Sequence, residues 1–261
     1  MLEVIDRGGT SSAHPVPLLF VHGAWHAAWC WEENFLGYFA ERGYRALAVS
    51  FRGHGASSSD KPLRACGVDD YVADIATVAE SLPVPPVVIG HSMGGLIVQK
   101  YLEGRPAPAA VLMASIPPRG NYGSTLRWLR HRPWDAIKMA VTGRALPYIS
   151  TPERARQHFF SATTPAETVL QCAARLQEDS PRISVDCLIL KLPRPSRVST
   201  PLLVLGAEQD GAHTCKEVRA TARAYGTEAE FFAGMGHNMM LEPGWDAVAE
   251  RIHRWLGDRG L

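Results

Sequence analysis

The chain has 261 residues, 46% hydrophobic and 20% charged, with a net charge of +1 and a pI near 7.7. That length supports one domain with a sizeable core, and a near-neutral balance without a basic stripe excludes a dedicated nucleic-acid binder. No apolar run reaches membrane-spanning length, and charge interrupts Met1–Arg7 too early for a signal peptide, so a cytoplasmic location is expected.

Residues 1 to 8 read as a first strand, and Val16-Pro17-Leu18-Leu19-Phe20-Val21 as the next, ending at His22-Gly23-Ala24-Trp25. Apolar residues at helical spacing (Trp31, Phe35, Leu36, Phe39) predict a helix over 29–42, closed by Arg42-Gly43. A strand over 45–51 leads into the turn Arg52-Gly53-His54-Gly55. A helix from about Asp69 to Leu82 then carries its carboxylates at the amino end, where the helix dipole suits them.

Next comes Val87-Val88-Ile89-Gly90-His91-Ser92-Met93-Gly94-Gly95-Leu96. The apolar run predicts a buried strand and the segment after it a helix, with Ser92 in the turn between them. Gly90 and Gly94 complete G-x-S-x-G, a spacing that lets a strand turn straight into a helix and present the serine hydroxyl at the carboxyl edge of a sheet.

A further buried run, 109–116, stops at Pro117-Pro118. From about 117 to 198 the alternation breaks: helical patterns near 124–131, 133–142, 151–160 and 165–177 carry Trp128, Trp134, Tyr148, Phe159 and Phe160, without a comparable strand. The alternation resumes with a strand at 200–206, a helix near 214–225, a strand at 228–232 and a last helix from Trp245 to Leu256. Such alternation of apolar strands with helices predicts an α/β fold, a mostly parallel sheet covered on both faces. The domain reading is a core over 1–116 and 199–261 with a helical insert over 117–198.

A serine hydroxyl needs an imidazole to take its proton and a carboxylate to orient that imidazole. His237, in Gly234-Met235-Gly236-His237-Asn238 after the last strand, falls at the same sheet edge as Ser92 and is the candidate base. Asp210 follows the strand ending near 206 and is the candidate acid, ahead of Glu208. The backbone N–H groups of Met93, at the helix start, and of Ala24, in the loop after the early strand, are the candidate oxyanion donors. His22 and the 52–55 turn read as structural ties. Cys30, Cys66, Cys172, Cys187 and Cys215 show no C-x-x-C or paired Cys/His spacing and read as reduced structural thiols.

On these residues the chain resembles the α/β-hydrolase superfamily. Val21-His22-Gly23-Ala24-Trp25-His26 resembles the loop of plant methylesterases and hydroxynitrile lyases, and Arg52-Gly53-His54-Gly55 with Gly90-His91-Ser92-Met93-Gly94-Gly95 resembles monoacylglycerol lipases and lysophospholipases. The resemblance implies that the insert is a cap over the site, with Trp25 and Trp128 as substrate contacts. It disfavours a lyase, because Gly23 and Asn238 stand where the cyanide-releasing members typically carry threonine and lysine. The expected activity is cofactor-free hydrolysis of a small carboxylic ester or lactone with an apolar part, without a metal. A non-hydrolytic ligand receptor and a cofactor-free perhydrolase or oxygenase are the competing readings.

Overall fold

The apolar runs become strands because each has two faces to bury. The structure, a computed structural model, describes residues 1–261. β2 (Leu18–Val21), β3 (Ala46–Val49), β4 (Val87–His91), β5 (Ala110–Met113) and β6 (Leu202–Ala207) are buried at every position. β1 (Val4–Arg7) and β7 (Ala229–Phe232) form the partly exposed edges. The spatial order is β1-β3-β2-β4-β5-β6-β7, and only β1 runs antiparallel to its neighbour.

Alternate side chains along the strands point to opposite layers. Leu18, Phe20, Val87 and Ile89 pack with Phe35 and Phe39 of α2 (Phe35–Glu41) and with Val248 and Ile252 of α11 (Trp245–Gly257). Leu19, Val21 and Val88 pack on the other face, with Tyr71 and Ile75 of α3 (Val68–Glu80) and Leu96 and Ile97 of α4 (Met93–Leu102). Each such side chain, fully buried, contributes roughly 1.5–3 kcal/mol. A one-residue slip of β4 would exchange the two layers, so the register that positions Ser92 is strongly specified.

Chain order reverses between β3 and β4, which flank β2. Open α/β sheets leave a crevice at such a point, outside the carboxyl ends of the strands. The loops leaving β2 and β4 both end there.

One expectation needs correction. The predicted helix over 29–42 is split into α1 (Trp29–Glu32) and α2, because Asn34 leaves helical geometry at φ −139° and its Nδ2 donates to the Met240 carbonyl at 2.9 Å. Trp134, among the aromatics of the insert, turns to solvent and is 73% exposed.

Between β5 and β6 the chain forms only helices. α5 (Tyr122–His131), α6 (Pro133–Thr142), α7 (Pro152–Phe159) and α8 (Ala166–Arg175) fall on the predicted patterns. α9 (Pro181–Val185) and a wide π-type turn over Asp186–Leu190 were not anticipated. The buried Asp186 holds them to the core, accepting from Val68 N at 3.1 Å and from Arg182 Nε at 3.0 Å. α10 (Cys215–Ala224) and α11 complete the layers. No helix is long and apolar enough to cross a membrane.

Candidate active site

Ser92 sits between β4 and α4 at φ 52°, a left-handed conformation that costs a non-glycine residue about 1–2 kcal/mol and is held by its surroundings. Its N–H donates to the Met113 carbonyl and its own carbonyl accepts from Ile116 N, both at 3.0 Å, anchoring the turn to the end of β5. A Cβ on Gly90 would lie 2.7 Å from the Gly94 carbonyl oxygen and 2.8 Å from the Gly95 Cα. Strand and helix therefore meet at a distance only glycine permits.

Ser92, His237 and Asp210 form one hydrogen-bonded chain. The Ser92 hydroxyl lies 2.9 Å from His237 Nε2, and His237 Nδ1 lies 2.9 Å from Asp210 Oδ2. Because a carboxylate only accepts, Nδ1 carries the proton and Nε2 is free to accept from the serine. The other Asp210 oxygen accepts from the N–H groups of Ala212 and His213 at 2.7 and 2.9 Å. Burial pushes the Asp210 carboxyl up, but His237 beside it, with the His213 N–H, wins and holds it below the usual carboxylate range. Glu208, the competing acid, is exposed and bonds to neither histidine.

The loop leaving β2 closes against the turn of Ser92. A Cβ on Gly23 would sit 2.9 Å from His91 Nδ1 and 3.0 Å from Ser92 Cβ, so Gly23 lets Ala24 approach the serine. The Ala24 N–H makes no hydrogen bond, and Met93 opens α4, where the first N–H groups have no intrahelical acceptor. Both candidate oxyanion donors are thus unspent. His22 ties this loop down as expected, donating from Nδ1 to the Gly23 carbonyl at 2.7 Å and accepting from Phe51 N at 3.1 Å. Trp25 follows at φ 64°, held in that strained geometry from both sides. Its N–H donates to the buried Asp179 carboxylate at 3.2 Å, and its carbonyl accepts from Gln177 N at 2.9 Å.

Four further residues pack around the site: Phe159, already among the aromatics of the insert, and three histidines to which the sequence assigns no role. The Phe159 ring lies 6.3 Å from that of His237 in a stacked orientation, and 6.0 Å from that of Trp25. His213 packs edge-on against His237 at 5.5 Å. His91 Nε2 donates to the His237 carbonyl at 2.9 Å. His26 receives the side-chain amide of Asn238. Burial lowers His26 and His213 to about 4 and pushes His91 down as well, so these rings are neutral near pH 7 and only His237 is placed to take the serine's proton. The spacing of His91 next to Ser92 and of His213 three residues after Asp210 was visible; their direction was not.

Trp128 is half-buried and donates from Nε1 to His158 Nε2 at 3.1 Å, one residue from Phe159. It therefore adjoins the site through Phe159 rather than touching Ser92, Asp210 or His237. Ser92 is 9% exposed and His237 3%, with the Phe159 ring of α7 stacked on the imidazole. A cleft of about 380 Å³ lined by Trp29, Cys172, Arg175 and Trp245 opens elsewhere and includes none of the three.

The fold and this arrangement define the class. Residues 18–251 match the alpha/beta hydrolase family, and the chain belongs to it. A non-heme chloroperoxidase of Streptomyces lividans is 40% identical over 108 residues, 40% of this chain and 38% of its own. The chain thus spans well under half the length of the first curated relatives it matches, 38% in each. The pFDCC methylesterase MES16 of Arabidopsis thaliana is 24% identical over 213 residues, 78% of this chain and 80% of its own. A thermophilic esterase from Thermogutta terrifontis superposes with a TM-score of 0.77 over 100% of this chain and 94% of its own, at 18% identity, a likeness of fold.

Proposed function

We propose that this protein is a serine hydrolase that cleaves a small carboxylic ester or lactone, with an apolar part, through an acyl-Ser92 intermediate. The carrying observation is the unbroken chain Ser92–His237–Asp210, each link 2.9 Å long, with Ser92 and His237 both buried. His237 Nε2 takes the hydroxyl proton as Ser92 Oγ bonds to the substrate carbonyl carbon. Asp210 stabilises the imidazolium that forms. The N–H groups of Ala24 and Met93 receive the oxyanion, a contribution of about 3–4 kcal/mol per donor in comparable sites. The imidazolium then gives its proton to the leaving alkoxide. Water, deprotonated by His237, attacks the acyl carbon and returns Ser92 to its free form.

The helical segment over about 117–198 acts as a cap that sets substrate choice. Phe159, Trp25 and, behind them, Trp128 supply apolar and aromatic surface beside the reacting groups, which suits an apolar acyl or alcohol portion.

A fluorophosphonate probe, read beside turnover of short- and long-chain p-nitrophenyl esters, tests the proposal. It should label Ser92 and abolish turnover; label on another residue, or turnover that survives complete labelling, would contradict it.

The similarity to a non-heme chloroperoxidase supports a second reading of the same site. Hydrogen peroxide in place of water would attack acyl-Ser92 and release a peracid, with the proton again taken by His237. Peracid formation from an ester and peroxide, lost in Ser92→Ala, distinguishes it from simple hydrolysis.

A further inference from the structure

α5 and α6 pack against each other and turn two apolar stripes to solvent. On α5 the stripe is Tyr122, Leu126 and Leu129; on α6 it is Trp134, Ile137 and Val141. Both sets keep the spacing of a single helix face. Trp134 is 73% exposed and Val141 81%. Scattered apolar side chains on a surface need no explanation, but a contiguous set of six on one hairpin marks an interaction surface.

The charge around this face identifies the partner. From 119 to 144 the chain carries Arg119, Arg127, Arg130, Arg132, Lys138 and Arg144 against one carboxylate of its own, Asp135, while Arg127 pairs with Glu217 at 2.8 Å and Arg144 with Glu178 at 3.6 Å. Asp135 already faces Arg132 at 3.7 Å and Arg154 at 3.5 Å. Arg130 lies one turn beyond Leu126, and Lys138 one turn beyond Trp134, so both cations share the faces of the apolar stripes. Both are exposed and neither meets a carboxylate. Aliphatic side chains, an indole and long unpaired cations on one face match the boundary between acyl chains and anionic headgroups. There the stems lie in the apolar zone and the charges reach the phosphates.

We propose that the α5–α6 hairpin docks the protein peripherally on an anionic phospholipid surface. The apolar stripes sit at the acyl boundary, and Arg130 and Lys138 lie on lipid phosphates. A second copy of the chain fits this face less well. A two-fold contact would bring Arg130 and Lys138 of both copies together with only the already engaged Asp135 to oppose them. The docking does not depend on the hydrolase reading. Its consequence for that reading is positional: Trp128, on the same helix, reaches His158 beside Phe159, so the docked face lies over the cap residues nearest the site.

Co-sedimentation of the full chain with vesicles of phosphatidylcholine, alone or mixed with phosphatidylglycerol, tests the proposal. Binding should appear with the mixed vesicles and fall steeply with salt. At roughly one power of ten for each one or two cations removed, Arg130→Glu with Lys138→Glu should weaken it ~30-fold or more. Trp134→Ser with Ile137→Ser and Val141→Ser should abolish it, while turnover of a soluble ester and the melting temperature stay unchanged in both variants. Equal binding to the two vesicle types, binding unaffected by either variant, or no sedimentation would overturn the proposal. So would a concentration-dependent dimer that the serine variant dissociates, since the face would then serve a second copy.

Discussion

Asn238 donates its side-chain amide to His26 Nε2 at 3.1 Å, and His26 donates from Nδ1 to the Ala24 carbonyl at 2.7 Å. One neutral imidazole thus joins the residue after the proposed base to the residue that offers an oxyanion N–H. Two loops from opposite ends of the chain are set relative to each other by this ring, and the geometry of acyl transfer depends on their spacing.

Asn238→Ala should therefore lower kcat by about tenfold with little change in KM, since it releases alignment rather than substrate contact. It also removes the amide donor of the buried His26 Nε2, leaving the weaker Cys172 thiol 3.7 Å away, at a cost of about 0.5–1.5 kcal/mol of stability. Steady-state kinetics beside urea unfolding checks this. Loss of stability with unchanged kcat would show that the link serves the fold alone.

Asp210→Asn should reduce turnover by ~10⁴, the scale seen when the orienting acid of a triad is neutralised. Glu208→Gln should change it less than about twofold, because Glu208 is exposed and bonds to no member of the site. Equal effects of the two would remove Asp210 from the assigned role.

Much of this site was legible in the sequence, for physical reasons that differ from residue to residue. Ser92 stood out because a strand turning straight into a helix demands glycine at Gly90, and the G-x-S-x-G spacing records that demand. His237 and Asp210 followed from a general property of parallel sheets: loops that leave consecutive strands gather at one edge. Phe159 was noted among the aromatics of the insert, but its packing on His237 was not, since helical periodicity says which face is apolar and not what that face meets. His26 was hidden for a similar reason, because its partner Asn238 lies 212 residues away. The break at Asn34 depends on a tertiary hydrogen bond that no local pattern carries. Which way Trp134 faces was not legible either, because an amphipathic stripe reads identically whether it is covered or exposed.

The contrast between Phe159, packed on His237, and the exposed Trp134 yields a paired prediction. Phe159→Leu should cost less than about 3 kcal/mol of stability and also shift ester chain-length preference, with a methylene-sized contact worth ~1–3 kcal/mol of discrimination. Trp134→Ala should leave that preference unchanged, as its ring faces solvent. A chain-length series of p-nitrophenyl esters on both variants separates the two positions. A larger shift in the Trp134 variant would place the substrate against α6 instead of Phe159.

The buried histidines should make the fold sensitive to mild acid. Burial lowers His26, His158 and His213 to about 4 each, whereas an unfolded histidine titrates near ~6.5. The unfolded chain therefore binds more protons than the native one between those values. Stability from this source is complete above about pH 6.5 and falls as pH drops toward about 4, by up to ~1.4 kcal/mol per pH unit for each histidine. Asp210 is shifted in the same direction, by His237 beside it: its contribution is present above about pH 3.9 and is lost as pH falls through its lower native value. Urea midpoints should decline steadily from about pH 7 to about pH 5. A flat profile across that range would contradict the neutral burial of these rings.

The central claim is that Ser92 carries the acyl group. The direct measurement is mass spectrometry of protein mixed with p-nitrophenyl acetate and quenched in acid within the first turnover, followed by peptide mapping. One added acetyl group should appear on the peptide that contains Ser92, with no adduct in Ser92→Ala and slower loss of the adduct in Asp210→Asn. An unmodified Ser92 peptide during active turnover, or an acetyl group on another residue that forms and decays at the rate of the reaction, would contradict it.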